Sequence, residues 1–347
     1  MNFTLHTHFP DPAIATEWNA MLAAGITDAP FLRYEYLQQW WKTRGGGEWH
    51  AAQQRASLAL MTAREGDRLV GIAPLFRAVN RAGETAILLL GSIEISDQLD
   101  LIARPSDLPG FLSALLDQLE SDYPETWSVL DWYNLPDSSP TLPALRAESS
   151  RRGWAYHDEV YEPAPYIPLR GDYEAYLAGI DKKQRHEIRR KVRRAEESGR
   201  GVKWYVVEDE SRLDAEMDGF LALMAHDPDK REFLMPPMSE QMKAMAHAAF
   251  REGWLQLALL EVDGEKACGY LNFDYGGRIW VYNTGLDRRF MDLSPGWVLL
   301  AYLLQWANER GRTEFDFLRG GEDYKYKFGG QDRFAMRVVV RRQSSST

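Results

Sequence analysis

The chain has 347 residues, of which 45% are apolar and 27% charged, with 27 glycines and 17 prolines. That composition is ordinary for globular domains, excludes collagen-like and low-complexity chains, and at this length implies about two cores. Lysine and arginine number 41 against 51 acids, a net charge of −10, so nucleic-acid backbones are repelled and general DNA binding is excluded. The longest apolar runs, 297–304 and 86–90, fall short of the roughly 20 residues a membrane helix needs. Residues 1–12 lack the basic and apolar regions of a signal peptide. The single cysteine, Cys268, leaves no internal disulfide and no thiolate metal cluster. Together these features predict a cytoplasmic protein without membrane insertion.

In chain order, residue patterns predict a strand at 3–7, helices at 12–24 and 31–43, and strands at 56–63, 69–79 and 85–90. A helix at 108–121, a strand at 128–132, a helix at 141–152 and a strand at 154–161 complete a first half. The second half repeats the order: a strand at 202–207, helices at 213–225 and 239–251, and strands at 255–262, 267–274 and 279–284. A helix at 296–310, a strand at 313–318, a short helix at 322–328 and a strand at 334–342 follow, then a polar, disordered tail at 343–347. Asp107, Leu108, Pro109 and Gly110 open one late helix; Asp292, Leu293, Ser294, Pro295 and Gly296 open its counterpart. This weak internal likeness points to a duplicated α/β unit, each a mixed central sheet flanked by helices. The expected boundaries are 1–162 and 201–342, with a linker and basic helix at 163–200.

That basic helix carries eight cations from Lys182 to Arg194 against one acid, Glu187, so about +7, leaving about −17 for the remainder. Its apolar positions Ile188, Val192 and Ala195 form one narrow stripe, and its cations, Arg185 and Arg189 among them, suit an anionic ligand.

Two segments carry candidate chemistry. Tyr282, Asn283, Thr284 and Gly285 end a strand, and after a loop Ser294, Pro295, Gly296 and Trp297 open an apolar helix. Ser294 suits the N-cap and Pro295 the first turn, while Gly296 lets a group approach closely. The helix start favours an anion, and Arg288 and Arg289 lie just upstream. The alternative is an ordinary core helix. Further on, Tyr324 and Lys325 follow the strand carrying Asp316. A phenol, with a pKa of roughly 10, could protonate a leaving thiolate of roughly 8.5, and a lysine could neutralise developing charge. Packing of the tyrosines under solvated lysines is the competing reading.

Taken as an ordered set, these residues resemble the GNAT superfamily of N-acetyltransferases, more narrowly its CelD-like and FemAB-like branch. The matching stretches are Pro165 to Leu169 with the basic helix after it, Tyr282 to Gly285, Ser294 to Gly296, Phe315 to Gly320, and Tyr324 with Lys325. The resemblance implies two tandem GNAT-like domains and an acyl group carried on coenzyme A, as acetyl-CoA or another acyl-CoA; in FemAB relatives the donor is an aminoacyl-tRNA. The usual Arg/Gln-x-x-Gly-x-Gly/Ala turn is replaced here by Arg289 followed by Phe290, Met291, Asp292, Leu293, Ser294, Pro295 and Gly296, with one glycine and a longer loop.

Other chemistries lack their motifs. None of the seven histidines pair at His-x-x-x-His spacing, and there is no Gly-x-Ser-x-Gly elbow or Walker loop. Asp97 and Asp100 could line an acceptor pocket or serve as turn residues. Trp40 and Trp41 suit core packing or a ring-binding wall. The expectation is an acyltransferase, without metal, moving an acyl group from acyl-CoA to an amine or hydroxyl of a small anionic acceptor, such as a cell-envelope or polysaccharide precursor. In it Tyr324, Lys325 and Asp316 are catalytic. Asn283, Gly285, Arg288, Arg289, Ser294, Gly296 and Trp297 bind the donor, and Asp97, Asp100, Arg185 and Arg189 bind the acceptor. The oligomeric state is left as monomer or homodimer. The alternatives are an aminoacyl-tRNA-dependent transferase acting on a peptidoglycan precursor, the one reading in which tRNA is a partner, and a catalytically silent GNAT-fold binding protein.

Overall fold

The computed structural model describes residues 1–45, 56–123 and 127–342; the polar tail at 343–347 and His50 lie outside them. Two units emerge, Met1–Pro163 joined by the chain after Arg333, and Ala164–Asp332.

The first unit runs β1 (Asn2–His6), α1 (Ala15–Ala23), α2 (Tyr34–Arg44), β2 (Ser57–Leu58), β3 (Leu60–Glu65), β4 (Arg68–Ala73), β5 (Leu75–Val79), β6 (Thr85–Leu89), α3 (Ser92–Ile95), β7 (Ile102–Ala103), α4 (Leu108–Asp122), β8 (Val129–Pro136), α5 (Thr141–Arg151) and β9 (Ala155–Pro163). The second runs β10 (Tyr166–Pro168), α6 (Tyr173–Gly179), α7 (Lys182–Glu196), β11 (Val202–Val206), α8 (Glu210–Met224), α9 (Pro228–Phe233), α10 (Met238–Arg251), β12 (Leu255–Val262), β13 (Glu265–Tyr275), β14 (Arg278–Leu286), α11 (Pro295–Glu309), β15 (Glu314–Asp316) and α12 (Asp323–Lys327). The last strand, β16 (Phe334–Arg341), returns to the first unit.

In the first unit the strands lie in the orders β1-β3-β4-β7 and β2-β5-β6-β8-β16-β9. Residues 69–79, expected as one strand, break at Pro74, which offers no N–H to a ladder. Trp40 is fully buried with its ring 5.5 Å from Phe76, so that tryptophan serves packing. In the second unit one sheet has the order β10-β15-β14-β13-β12-β11. Val298, Leu299, Leu300, Leu303 and Leu304 of α11 are fully buried in its core, each worth roughly 1.5–3 kcal/mol. On the opposite side α8 lies close because Gly269 and Gly285, paired across β13 and β14, have no Cβ. An added Cβ would come within 2.8 Å of Phe220 at Gly269 and 2.6 Å of the Met224 nitrogen at Gly285.

Two boundaries expected from sequence are revised. The basic helix α7 is an integral part of the second unit, with Ile188 and Ala195 in its core. Strand 334–342, expected to close the second half, instead lies between β8 and β9, antiparallel to both. Val338 and Val340 are buried there, and Arg337 pairs with the buried Asp131 at 2.9 Å.

Asp100 is also corrected here. Its carboxylate is 0% exposed and accepts hydrogen bonds from Thr27 (2.7 Å), Ser139 (2.5 Å), Thr141 (2.6 Å) and the Leu101 N–H (2.8 Å). Burial pushes its pKa up despite these donors. All its lone pairs are engaged, so it ties loops together and offers nothing to an acceptor. Asp97 is buried as well. Asp100→Ala strands three buried hydroxyls, and urea unfolding is expected to show a loss of about 2–4 kcal/mol. A loss below about 0.5 kcal/mol, the surface-mutation level, would contradict this role.

Candidate active site

Strands β14 and β15 run parallel but share only three residue pairs, from Arg278 with Glu314 to Trp280 with Asp316. Beyond them β14 continues alongside β13 alone, and a bulge shifts the register so that Val281 faces Asn272 and Asn283 faces Leu271. α11 supplies the crossover that a parallel pair requires.

The opening beyond Trp280 holds a cavity of about 250 Å³. Gly285, Ser294, Gly296, Trp297 and Tyr324, five residues singled out from sequence, line it together with Lys191, Cys268, Tyr270, Thr284, Leu286, Met291 and Leu300. A second cavity of about 420 Å³ shares Thr284, Gly285, Leu286 and Met291 and adds Leu223, Met224, His226, Asp227, Lys230 and Arg288. The end of β14 therefore lines both chambers.

Ser294 occupies the N-cap position of α11 but makes no capping bond with its side chain, and its backbone is left-handed at φ 54°. Its hydroxyl instead accepts from Lys191 Nζ (3.0 Å) and Arg194 (2.9 Å). Lys191 also sits 4.6 Å over the Trp297 ring. Two cations thus converge at a helix start whose dipole already favours an anion. Only Leu286, at 4.0 Å, would touch a Cβ added to Gly296, so the approach there is open. Deeper in, burial pushes the Cys268 thiol up to about 12, which makes it a poor nucleophile. Tyr324 packs edge-on against Phe317 at 5.9 Å. Burial, then Glu322, holds its phenol well above the usual tyrosine range, and its hydroxyl has no hydrogen-bond partner among the described residues.

Several expected site residues are otherwise engaged. Lys325 is 2% exposed, and its ammonium donates to the carbonyls of Leu318 (3.3 Å), Arg319 (2.8 Å) and Gly320 (2.9 Å) while pairing with Glu322 (2.9 Å). It shapes the loop ahead of Tyr324. Buried Asp316 accepts from the Leu318 N–H (2.7 Å), steadying a turn in which Leu318 has φ 56°. Arg289 is held by Asp287 (2.7 Å) and Glu265 (2.8 Å), and lowers the Asp287 pKa. Arg185 donates to the Leu177 and Ala178 carbonyls at the end of α6, and Arg189 pairs with Glu174. None of these five lines either cavity. Asn283 accepts from Lys230, and Arg288 is exposed at the second cavity.

Sequence reasoning missed Lys191, Arg194 and Lys230. The first two were within reach, because positions 191 and 194 stand three residues apart beside the Ile188 and Ala195 stripe. Lys230, just after a proline, carried no such signal. Among the described residues no cluster could hold a metal ion, and no helix is long and apolar enough to cross a membrane.

Residues 182–326 match the family described as acetyltransferase (GNAT) domain. The second unit carries a GNAT domain. Among solved structures, FemX is similar over 96% of this chain and 97% of its own, at 12% identity and a TM-score of 0.64. A conserved protein of unknown function from Bacteroides thetaiotaomicron VPI-5482 is similar over 98% of this chain and 100% of its own, at 12% identity and a TM-score of 0.61. At such identities the likeness is one of fold. Curated proteins give no match. The likeness to these two structures runs across both units, so the chain as a whole shares their fold.

Lys325→Met would leave three loop carbonyls without their donor. Thermal unfolding is expected to register a loss of about 1–3 kcal/mol. Unaltered stability with abolished turnover would instead return Lys325 to a catalytic role.

Proposed function

We propose that this chain is an acyl-CoA-dependent acyltransferase whose donor site is the 250 Å³ cavity at the start of α11. The reading is carried by one observation: Lys191 and Arg194 converge on Ser294 beside an open Gly296, at a chamber also lined by Tyr324, whose hydroxyl has no hydrogen-bond partner among the described residues. Phosphate groups of the donor suit the cations and the helix dipole. The acyl end suits the apolar interior of Leu286, Trp297 and Leu300. Coenzyme A supplies an activated acyl group and a thiolate leaving group. With Cys268 held as a thiol, direct attack by an acceptor amine or hydroxyl is favoured over a covalent enzyme intermediate. The second cavity, with Lys230 and Arg288 on its wall, suits a small anionic acceptor.

Tyr324 is the proton donor to sulfur in this reading. Because burial raises its pKa, the phenol keeps its proton as pH rises through the ordinary tyrosine value of about 10. Activity should therefore show no alkaline loss from this group below that pH, and a Tyr324-dependent limb at lower pH would contradict the assignment. Tyr324→Phe is expected to lower turnover about 100-fold while the Kd for acyl-CoA moves less than about threefold. Lys191→Ala and Arg194→Ala should each weaken acyl-CoA binding about tenfold by calorimetry, with an affinity that falls as salt is raised.

The fold shared with FemX supports a second reading, in which the same cations receive an aminoacyl-tRNA. Calorimetry separates the two: binding of charged tRNA without binding of coenzyme A would replace the first reading by the second.

A further inference from the structure

A groove of about 480 Å³ lies between the edge strand β11 and the C-terminal half of α11, larger than either cavity of the candidate active site. Trp204 and Glu208 line it from the strand side; Tyr302, Trp306, Glu309 and Arg310 line it from the helix. Tyr302, Trp306 and Arg310 stand four residues apart, so they share one face of α11. At 1.5 Å per residue that row is about 12 Å long. No residue of the groove lines either cavity described above.

The aromatic rings are the first informative feature. Trp204, Tyr302 and Trp306 are all half-buried. Trp204 and Tyr302 stack with centroids 5.7 Å apart and planes 11° apart. Parallel rings at that separation are offset, so the pair extends one flat apolar surface. Trp306 continues it one turn along α11. Aromatic surface that faces a groove rather than the core suits the apolar face of a ligand.

The polar groups are the second feature, because they lack partners of their own. Glu208 makes no ion pair or hydrogen bond among the described residues, and neither does the Arg310 guanidinium, which stands 4.3 Å from the centre of the Trp306 ring. The indole N–H groups of Trp204 and Trp306 have no hydrogen-bond partner there either. Glu309 accepts only from the neutral Gln305 amide, at 2.7 Å. Two carboxylates against one guanidinium disfavour an anion. Arg310 already supplies the cation over Trp306, so a ligand need bring no positive charge. What fits is a neutral molecule with an apolar face and a rim of groups that both donate and accept. A sugar ring has that form: C–H groups on its faces and hydroxyls around its edge.

We infer that this groove binds a neutral, linear glycan, with about two sugar rings laid along Trp204, Tyr302 and Trp306. Hydroxyls of the glycan donate to Glu208 and Glu309 and accept from Arg310 and the two indole N–H groups. The site binds and carries no chemistry. It stands apart from the acyl-CoA reading: failure of the sugars to bind leaves that reading intact, and failure of acetyl-CoA to bind leaves this one intact.

The test uses the full chain and three linear probes, cellohexaose, chitohexaose and maltohexaose, read by calorimetry. At least one is expected to bind with a Kd of about 1 mM or tighter. That Kd should not change with salt, because no charge is neutralised on binding. Trp306→Ala should weaken binding about tenfold through the lost ring face. Glu208→Gln, a change at an exposed side chain that leaves the fold intact, should weaken it about three- to tenfold. Absence of binding by all three probes at about 10 mM overturns the inference. Equal affinity in wild type and both variants also overturns it, since the sugar then binds elsewhere. Salt-sensitive binding of tetramethylammonium in place of the sugars does the same, because the groove is then a cation site.

Discussion

The interaction on which the site depends is a strand pairing that stops early. β14 and β15 exchange hydrogen bonds over three residue pairs and then part, while β14 runs on with β13 for six residues more, to Leu286. A sheet that opens in this way exposes peptide groups that must find other partners. Here the partners are side chains: Lys230 takes the Thr284 carbonyl, the neighbouring Asn283 side chain takes the Thr284 N–H, and the start of α11 covers the gap. The chambers, the convergent cations and the Tyr324 side chain are arranged around that one interruption.

The first unit shows what the same plan does when the gap is filled. β6 and β8 are also parallel and pair through Ala86 with Val129 and Ile87 with Leu130. The chain then folds back as α3, and Ile93, Ile95 and Leu99 are buried. Asn134, with φ 64°, donates through its amide to the Ser96 carbonyl at 2.8 Å and receives the Leu99 N–H at 2.9 Å. The remaining void is about 10 Å³, at or below the size of a single water. A parallel strand pair therefore ends beside packed side chains at this place in the first unit and beside cavities in the second.

Much of this was legible in the residue pattern, and the failures have physical reasons. Element order followed from local periodicity, since α11 repeats apolar residues at helical spacing and β12 to β14 are punctuated by turn residues. Ser294, Gly296, Trp297 and Tyr324 could be found because a helix start and a strand end are local events. The fate of Lys325, Asp316 and Arg289 was hidden, because whether a charged side chain faces a pocket or ties down a loop is decided by one or two side-chain torsions. Lys230 was invisible because its partners lie 53 and 54 positions away. Nor did local pattern reveal that residues after 333 leave the second half, as a strand with the valine run 338–340 fits either sheet.

That last strand has a consequence for biosynthesis. β16 lies between β8 and β9, so the sheet of the first unit has its final strand order only after the whole second unit has been translated. A nascent chain halted anywhere before Phe334 carries β8 and β9 without the strand that bridges them, and their open edges stay available to chaperones or to neighbouring chains. The GNAT-bearing unit, contiguous from Ala164 to Asp332, has no such dependence.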